Sequence, residues 1–183
     1  MDRFETERLI LRRFEPGEWK DLFEYLSDEN VVRFEPYDVF SESECAKESE
    51  RRSGDPAFWA VCLKESGKLI GNLYLALAEP LDCRTWELGY VFNARYQGKG
   101  YAFESCTALL DHAFRFRDAH RIVAMCDPQN APSWRLLERL KFRREGHLLQ
   151  NVAFKCDGHG RPVWQDTYVY AMLAREWDTD RQL

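Results

Sequence analysis

The segment around Gly98 and Gly100 constrains the fold of this chain more than any other. A strand-like run, Trp86–Phe92, precedes the two glycines, and a helix-like run begins near Tyr101. A glycine-bearing turn at a helix start directs several unpaired backbone N–H groups towards one point, and the missing Cβ atoms let an anionic group approach closely. The segment therefore predicts a phosphate or pyrophosphate site, with a plain helix cap as the alternative.

The residues that follow the glycines separate the known kinds of phosphate-binding loop. Gly100 is followed by Tyr101 and Ala102, whereas a nucleotide-hydrolysing P-loop carries Lys and then Ser or Thr. The segment also lacks the three-glycine dinucleotide fingerprint and its βαβ unit with an acidic residue about 20 positions on. A nucleotide-binding module of either kind is therefore disfavoured.

The length and charge of the chain limit the class of protein to which it can belong. Its 183 residues, 45% of them hydrophobic, suffice for one well-packed domain, so we expect a single domain over residues 1–183. With a net charge of −5, the chain lacks the positive electrostatic field that binding to nucleic acids or anionic membranes requires. The N-terminus is charged from its second residue, and no apolar run is long enough to span a membrane. We therefore expect a cytoplasmic protein with no nucleic-acid or membrane partner.

The six cysteines are scattered and form no C-x-x-C pair. This pattern favours free thiols in a reducing compartment, and it offers no metal-ligand spacing, so no metal is expected. Cys126 has no adjacent histidine partner in the sequence, and we do not expect it to act as a nucleophile.

Apolar periodicity predicts a mixed α/β domain whose sheet is mostly antiparallel, with about seven strands flanked by about four helices. The strand at 121–126 follows a strand–loop–helix unit, so it should pair in parallel with the strand before the glycines. The predicted strands are 9–14, 58–63, 69–75, 86–92, 121–126, 142–154 and 162–173. The predicted helices are one with Pro16 in its first turn, one at 41–52 with a Ser41/Glu44 capping box, and those at 101–116 and 131–140.

Several segments resemble motifs of the GNAT superfamily of N-acetyltransferases, and specifically its ribosomal-protein N-acetyltransferase (RimJ/RimL-like) branch. The loop Gln97-x-x-Gly100-x-Ala102 is similar to the superfamily's [RQ]-x-x-G-x-[GA] pyrophosphate-binding loop. The other matching segments lie in the family's order between residues 6 and about 173: Thr6–Arg12, Trp86–Tyr90, Asn130–Phe142 and Trp164–Leu173. Lys141 departs from the pattern, because the family usually has a glycine there, at a helix-closing position that is often left-handed. The departure indicates either local strain or a differently shaped turn.

The resemblance implies a GNAT-like fold with a splayed central parallel pair, and acetyl-CoA as the cofactor. Backbone amides of the loop would hold the pyrophosphate of coenzyme A, with a side-chain donor from Gln97. Lys99 either adds charge towards a phosphate or is merely solvated. The pantetheine arm would pair with exposed backbone of the strand before the loop and with the facing strand end at Cys126. The cofactor-binding residues implied in this way are Val91, Phe92, Gln97, Gly98, Lys99, Gly100, Tyr101, Ala102, Asn130 and Ser133.

Glu87 and Ser133 are the candidate catalytic residues. Acyl transfer to an amine requires a base for the ammonium proton, donors for the oxyanion and an acid for the departing thiolate. Glu87 lies in an otherwise apolar strand, which leaves open a general base facing a cleft or a carboxylate in a buried ion pair. The resemblance implies that Ser133 is the proton donor or a contact to the sulfur, and the local alternative is an ordinary first-turn residue capped by Asn130.

Other polar and aromatic residues have open roles. A tyrosine acid is possible among Tyr90, Tyr96 and Tyr168, and the sequence does not choose between them. Asp166 is either a second carboxylate near the acceptor or a surface residue. Four further aromatic residues either line an acceptor pocket or belong to the core: Phe34, Trp59, Trp86 and Trp164.

The sequence thus predicts a cytoplasmic N-acetyltransferase that transfers an acetyl group from acetyl-CoA directly to a primary amine. The acceptor is a peptide or protein N-terminus or a small amine, and the chain is expected to be a monomer or a homodimer. The alternative is a non-catalytic acyl-CoA-binding or regulatory module of the same fold. The presence of both Glu87 and Ser133 favours the enzyme.

Overall fold

A computed structural model describes residues 3–179 of the chain. The strands are β1 (Arg3–Glu5), β2 (Leu9–Arg12), β3 (Phe58–Leu63), β4 (Leu69–Leu77), β5 (Thr85–Phe92), β6 (Arg121–Cys126), β7 (Arg143–Cys156) and β8 (Pro162–Leu173). The helices are α1 (Trp19–Leu26), α2 (Glu29–Val32), α3 (Glu42–Ser53), α4 (Tyr101–Phe116), α5 (Ala131–Arg139) and α6 (Ala174–Thr179). Short 3₁₀ turns occupy Leu81–Cys83 and Ala94–Tyr96.

The strands form one sheet in the order β1-β2-β3-β4-β5-β6-β8-β7, which is mostly antiparallel. The exception is the predicted parallel pair of β5 and β6, whose ladder joins Thr85–Glu87 to Arg121–Val123. Beyond that ladder β5 continues to Phe92 and β6 to Cys126. The predicted fold class is confirmed, with β1, α2 and α6 as elements that the sequence patterns did not reveal.

The first of two compact units contains residues 3–33, 38–75 and 89–109. Leu22 and Leu26 on one face of α1 are fully buried, as their helical spacing predicts. The helix begins at Trp19 rather than near Pro16, because Gly17 takes a φ of +88°, which a right-handed helix cannot contain.

The capping box predicted for α3 is confirmed. The Ser41 side chain accepts a hydrogen bond from the backbone N–H of Glu44, and the Glu44 carboxylate accepts one from the backbone N–H of Ser41 at 2.8 Å. Two of the helix's otherwise unpaired donors are thereby satisfied, which fixes the start of α3.

The second unit contains residues 34–37, 76–88 and 110–179. Here β8 lies between β6 and β7, so that Cys126, Tyr168 and His147 occupy one row across three antiparallel strands. After α5, Lys141 takes a φ of +69°, so of the two alternatives the structure has the left-handed turn with a residue that carries a Cβ. The single-domain expectation is not tested by this division and stays a prediction.

Candidate active site

The glycine loop joins β5 to α4 in the first unit. Gly98 has a φ of +71° and Gly100 a φ of +84°, so both occupy the left-handed region that residues with a Cβ rarely adopt. The 3₁₀ turn Ala94–Tyr96 precedes them, and α4 begins directly after Gly100, at Tyr101. The sequence prediction of a glycine-dependent turn at a helix start is confirmed.

Five consecutive backbone N–H groups of this loop, from Gly98 to Ala102, lack an acceptor among residues 3–179. At the beginning of α4, the Glu104 N–H donates to the Gly100 carbonyl at 3.0 Å. Successive free N–H groups around left-handed glycines, together with the positive end of a helix dipole, form a concave anion site. This backbone geometry fits a pyrophosphate and needs no side-chain ligand.

The loop is fastened at its β5 end by two amide side chains. Asn93, only 2% exposed, donates from its backbone to the Ile70 carbonyl at 3.0 Å and from its side chain to Glu24 at 3.1 Å. Gln97 donates from Nε2 to the Phe92 carbonyl at 3.0 Å. The structure therefore places the Gln97 amide in support of the loop backbone, and its implied contact with a pyrophosphate stays a prediction.

The loop is fastened at its α4 end by residues that sequence reasoning left without a role. Glu104 accepts hydrogen bonds from the Thr6 hydroxyl at 2.5 Å, the Arg8 backbone N–H at 2.9 Å and the Arg8 Nε at 2.7 Å. Burial alone would raise the pKa of Glu104, but these hydrogen bonds lower it on balance. Both Thr6 and Arg8 lie in the opening motif of the family resemblance, which was the available signal.

The side chains around the loop divide into buried and exposed groups. Val91 and Phe92 are buried at the end of β5, and a Cβ at Gly71 would lie 2.6 Å from both the Val91 carbonyl oxygen and the Phe92 ring. The exposed Lys99 holds its Nζ 5.3 Å from the centroid of the Tyr96 ring. Lys99 is therefore an exposed cation of the loop, and any contact between Lys99 and a phosphate stays a prediction.

Glu87 lies in the second unit, opposite Val123 in the parallel ladder. It is half-buried, and within the described range its carboxylate forms neither an ion pair nor a hydrogen bond. The buried ion pair that the sequence left open is therefore not found among these residues. A half-buried carboxylate with free oxygens is able to accept a proton, so the general-base role stays a prediction.

The start of α5 carries the other candidate catalytic residue. Asn130 caps the helix, accepting from the Ser133 N–H at its side-chain oxygen at 3.3 Å and at its carbonyl at 3.0 Å. The Ser133 hydroxyl forms a hydrogen bond with the Cys126 sulfur. Burial raises the pKa of the Cys126 thiol to about 11, against the opposing effect of Ser133, so Cys126 is protonated near neutral pH. This protonation agrees with the expectation that Cys126 is not a nucleophile.

Asp166 belongs to a hydrogen-bonded cluster on the β7–β8 hairpin. It accepts from the Gln150 backbone N–H at 2.8 Å and contacts the His147 Nε2 at 2.9 Å, and both contacts lower its pKa. The His147 ring in turn packs edge-on against Tyr168. Asp166 is thus an anchored carboxylate, and its proximity to an acceptor stays a prediction.

The aromatic candidates separate by burial. Trp59 is 2% exposed and packs against Phe4 and the Arg13 guanidinium, so it belongs to the core of the first unit. Trp164 is 57% exposed on β8, while Phe34 and Trp86 are half-buried. Trp59 is thereby removed from the set of pocket candidates.

Two kinds of feature are absent from residues 3–179. No group of three or more His, Cys, Asp or Glu side chains is arranged to hold a metal ion. Within the same range, no helix is long and apolar enough to cross a membrane. The six cysteines, all inside this range, are unpaired.

The chain belongs to the family described as the acetyltransferase (GNAT) domain, whose model matches residues 8–143. An uncharacterised N-acetyltransferase, YnaD, of Bacillus subtilis is 39% identical over 94% of this chain and 98% of its own length. The ribosomal protein uS5 alanine N-acetyltransferase of Escherichia coli is 26% identical over 98% of this chain and 94% of its own length.

The crystal structure of a GNAT-family acetyltransferase from Bacillus anthracis superposes with a TM-score of 0.84 at 36% identity, covering 95% of this chain and 99% of that chain. Together these similarities confirm the resemblance to the GNAT superfamily and its ribosomal-protein branch. They also confirm the predicted enzyme class, an acetyltransferase.

Proposed function

We propose that this chain transfers an acetyl group from acetyl-CoA directly to a primary amine. The observation that carries the proposal is the run of backbone N–H groups from Gly98 to Ala102 that have no acceptor among residues 3–179. A pyrophosphate is the part of coenzyme A that needs such a cradle, and the left-handed glycines leave room for its oxygens. The residues present therefore fit the cofactor that the family uses.

The binding residues divide by the part of coenzyme A they would contact. The amides between Gln97 and Ala102 would hold the pyrophosphate, and Lys99 would add charge to it. Val91, Phe92 and Asn130 would contact the pantetheine arm, with Ser133 at its sulfur. Bound acetyl-CoA supplies the thioester whose carbonyl carbon the acceptor amine attacks.

Two side chains of this chain would then move protons. The Glu87 carboxylate, which has no partner within the described range, would take the proton that an ammonium acceptor must lose. The Ser133 hydroxyl would donate a proton to the departing sulfur and regain one from the attacking nitrogen, which loses its second proton as the amide forms. The Ser133 side chain interacts with the Cys126 thiol and lowers its pKa, and rotation about the serine Cα–Cβ bond would redirect the hydroxyl.

The acceptor class follows from the chemistry of a primary amine. A relative of this chain acts on the alanine of ribosomal protein uS5, which supports a peptide or protein N-terminus as one acceptor type. The net charge of −5 is compatible with a small cationic amine as the other. A screen of acetyl-CoA consumption against N-terminal peptides and small amines would identify the acceptor.

The substitution Glu87→Gln tests the chemistry once an acceptor is found. Loss of a general base should lower kcat by about 10²- to 10⁴-fold near neutral pH. The affinity for coenzyme A, measured by calorimetry, should stay the same, because Glu87 is not in the loop. Glu79→Gln, at an exposed carboxylate in the same unit, is the matched control and should behave like the wild type.

Two outcomes would count against the proposal. A pH–rate profile that is the same in the Glu87→Gln variant and in the wild type would remove Glu87 from the base role. Coenzyme A binding with no thioester consumption across the whole amine panel would favour the non-catalytic acyl-CoA-binding module.

A further inference from the structure

Two residues between β1 and β2, Thr6 and Arg8, bond Glu104 at the start of α4. We call Thr6, Arg8 and Glu104 the Arg8 clamp. Arg8 and Glu104 form a two-point ion pair, with Nε and Nη2 both 2.7 Å from the carboxylate Oε2. The Thr6 hydroxyl and the Arg8 backbone N–H both bond the other carboxylate oxygen. Both carboxylate oxygens of Glu104 thus accept hydrogen bonds from Thr6 and Arg8. Glu104 lies in the first turn of α4, beside the proposed anion site.

The Arg8 guanidinium also touches three consecutive residues at the centre of the loop. Its Nη1 donates to the Lys99 carbonyl at 3.0 Å. Its Nη2 lies 3.3 Å from the position that a Cβ on Gly100 would occupy. Its central carbon lies 4.5 Å from the centroid of the Tyr101 ring. One side chain therefore fixes the loop between its two left-handed glycines and the helix.

The contact with the Lys99 carbonyl sets the direction of the next N–H group. The peptide unit between Lys99 and Gly100 is planar and trans, so its N–H points opposite to its C=O. Holding the carbonyl towards Arg8 directs the Gly100 N–H away from Arg8. Without that bond, Gly100 would permit this peptide to flip, because a flip changes ψ of Lys99 and φ of Gly100, and glycine adopts both signs of φ.

We propose that Arg8 is a positioning residue for the coenzyme A pyrophosphate, acting through the Lys99–Gly100 peptide rather than by touching the phosphates. The inference rests on the proposed function. Because Glu104 neutralises the guanidinium, Arg8 contributes order to the loop rather than net charge. A preorganised loop binds its ligand more tightly, since less conformational freedom is lost on binding.

The variants Arg8→Ala and Arg8→Lys test the proposal against the matched pair Arg51→Ala and Arg51→Lys. Arg51 is also paired at two points with a glutamate, Glu48, at 2.7 and 2.8 Å. Its central carbon lies 4.7 Å from the Phe58 ring, and its side chain is 51% exposed against 43% for Arg8. Arg51 also pairs with Asp55 at 3.1 Å, and of the two arginines only Arg8 bonds the loop.

The expected result is a loss of affinity that is confined to ligands with a pyrophosphate. Arg8→Ala should raise the Kd for coenzyme A and the KM for acetyl-CoA about tenfold, with kcat unchanged. Arg8→Lys should recover only part of this, because an ammonium cannot pair with Glu104 at two points and also bond Lys99. With S-acetylpantetheine, which has no pyrophosphate, kcat/KM should be the same in Arg8→Ala and wild type. Both Arg51 variants should bind coenzyme A as the wild type does.

Three results would overturn the inference. Wild-type coenzyme A affinity in Arg8→Ala would show that the loop is ordered without the clamp. An equal loss with S-acetylpantetheine would show that Arg8 only stabilises the fold, and Glu104→Gln, which keeps the shape of the side chain, repeats that comparison if Arg8→Ala does not fold. Failure of the wild-type chain to bind coenzyme A would overturn the proposed function together with the clamp.

Discussion

The two helices that carry the candidate site begin in opposite ways. At α4, the backbone N–H groups from Gly98 to Ala102 have no acceptor within the described residues. At α5, the side chain of Asn130 accepts from the Ser133 N–H, and its carbonyl accepts from the Ser133 and Trp134 N–H groups. One helix start leaves its donors for an external group, whereas the other satisfies them internally.

This difference assigns a different kind of chemistry to each helix. An uncapped helix start preceded by left-handed glycines presents backbone donors, which suit an anion of several oxygens. A capped helix start has no donors to spare, so its contribution must come from a side chain, here the Ser133 hydroxyl. We therefore expect substitutions at α4 to change binding and substitutions at α5 to change the rate.

The largest expected effect is at α4. Gly100→Val places a β-branched residue at a φ of +84° and a Cβ 3.3 Å from the Arg8 guanidinium. The strain should distort the loop and weaken coenzyme A binding about 100-fold in a calorimetric titration. Gly67→Val is the control, because Gly67 has a similar φ of +70° and open space around it, in the β3–β4 turn. Equal coenzyme A affinity in the two variants would contradict the claim that the start of α4 binds coenzyme A.

A smaller effect is expected at α5. Ser133→Ala removes the hydroxyl and keeps the N–H that Asn130 caps, so coenzyme A affinity should change little. The rate kcat should fall roughly 10- to 100-fold, at the lower end of acid catalysis because a thiolate leaves readily. Steady-state kinetics with saturating acetyl-CoA would measure the change. An unchanged kcat, or a loss confined to coenzyme A affinity, would contradict the side-chain role.

The smallest expected effect is on stability, at Lys141, which follows the C-terminal end of α5 and has a φ of +69°. Lys141→Gly should relieve the left-handed strain, offset in part by the entropy of glycine, and raise the free energy of unfolding by about 1 kcal/mol. Lys47→Gly, in the interior of α3, should lower it by about the same amount. Urea denaturation would measure both variants. Destabilisation by Lys141→Gly would show that the lysine side chain stabilises this turn.

Local patterns predicted most of the elements. Helix α4 and strands β3 and β6 begin and end at the predicted residues, because apolar spacing is a pattern within a short stretch of sequence. The predicted start of α1 was wrong, since the conformation of Gly17 overrides the preference of Pro16 for the first turn of a helix. The short elements β1 and α2 contain too few residues to show a period.

The site was less predictable than the fold, because its decisive contacts are distant in sequence. Glu104 pairs with Arg8 across 96 positions, and no spacing rule connects them. The Gln97 side chain bonds the Phe92 carbonyl, a use that the loop motif does not distinguish from a phosphate contact. The hydrogen bond between Ser133 and Cys126 likewise depends on how α5 packs against β6.

The most direct test of the central claim is a titration of the isotopically labelled protein followed by backbone amide NMR. Coenzyme A should shift the N–H resonances of Gly98 to Ala102 downfield as they gain an anionic acceptor, and pantetheine, which has no pyrophosphate, should leave them in place. Saturating coenzyme A that leaves these five resonances unmoved would contradict the account.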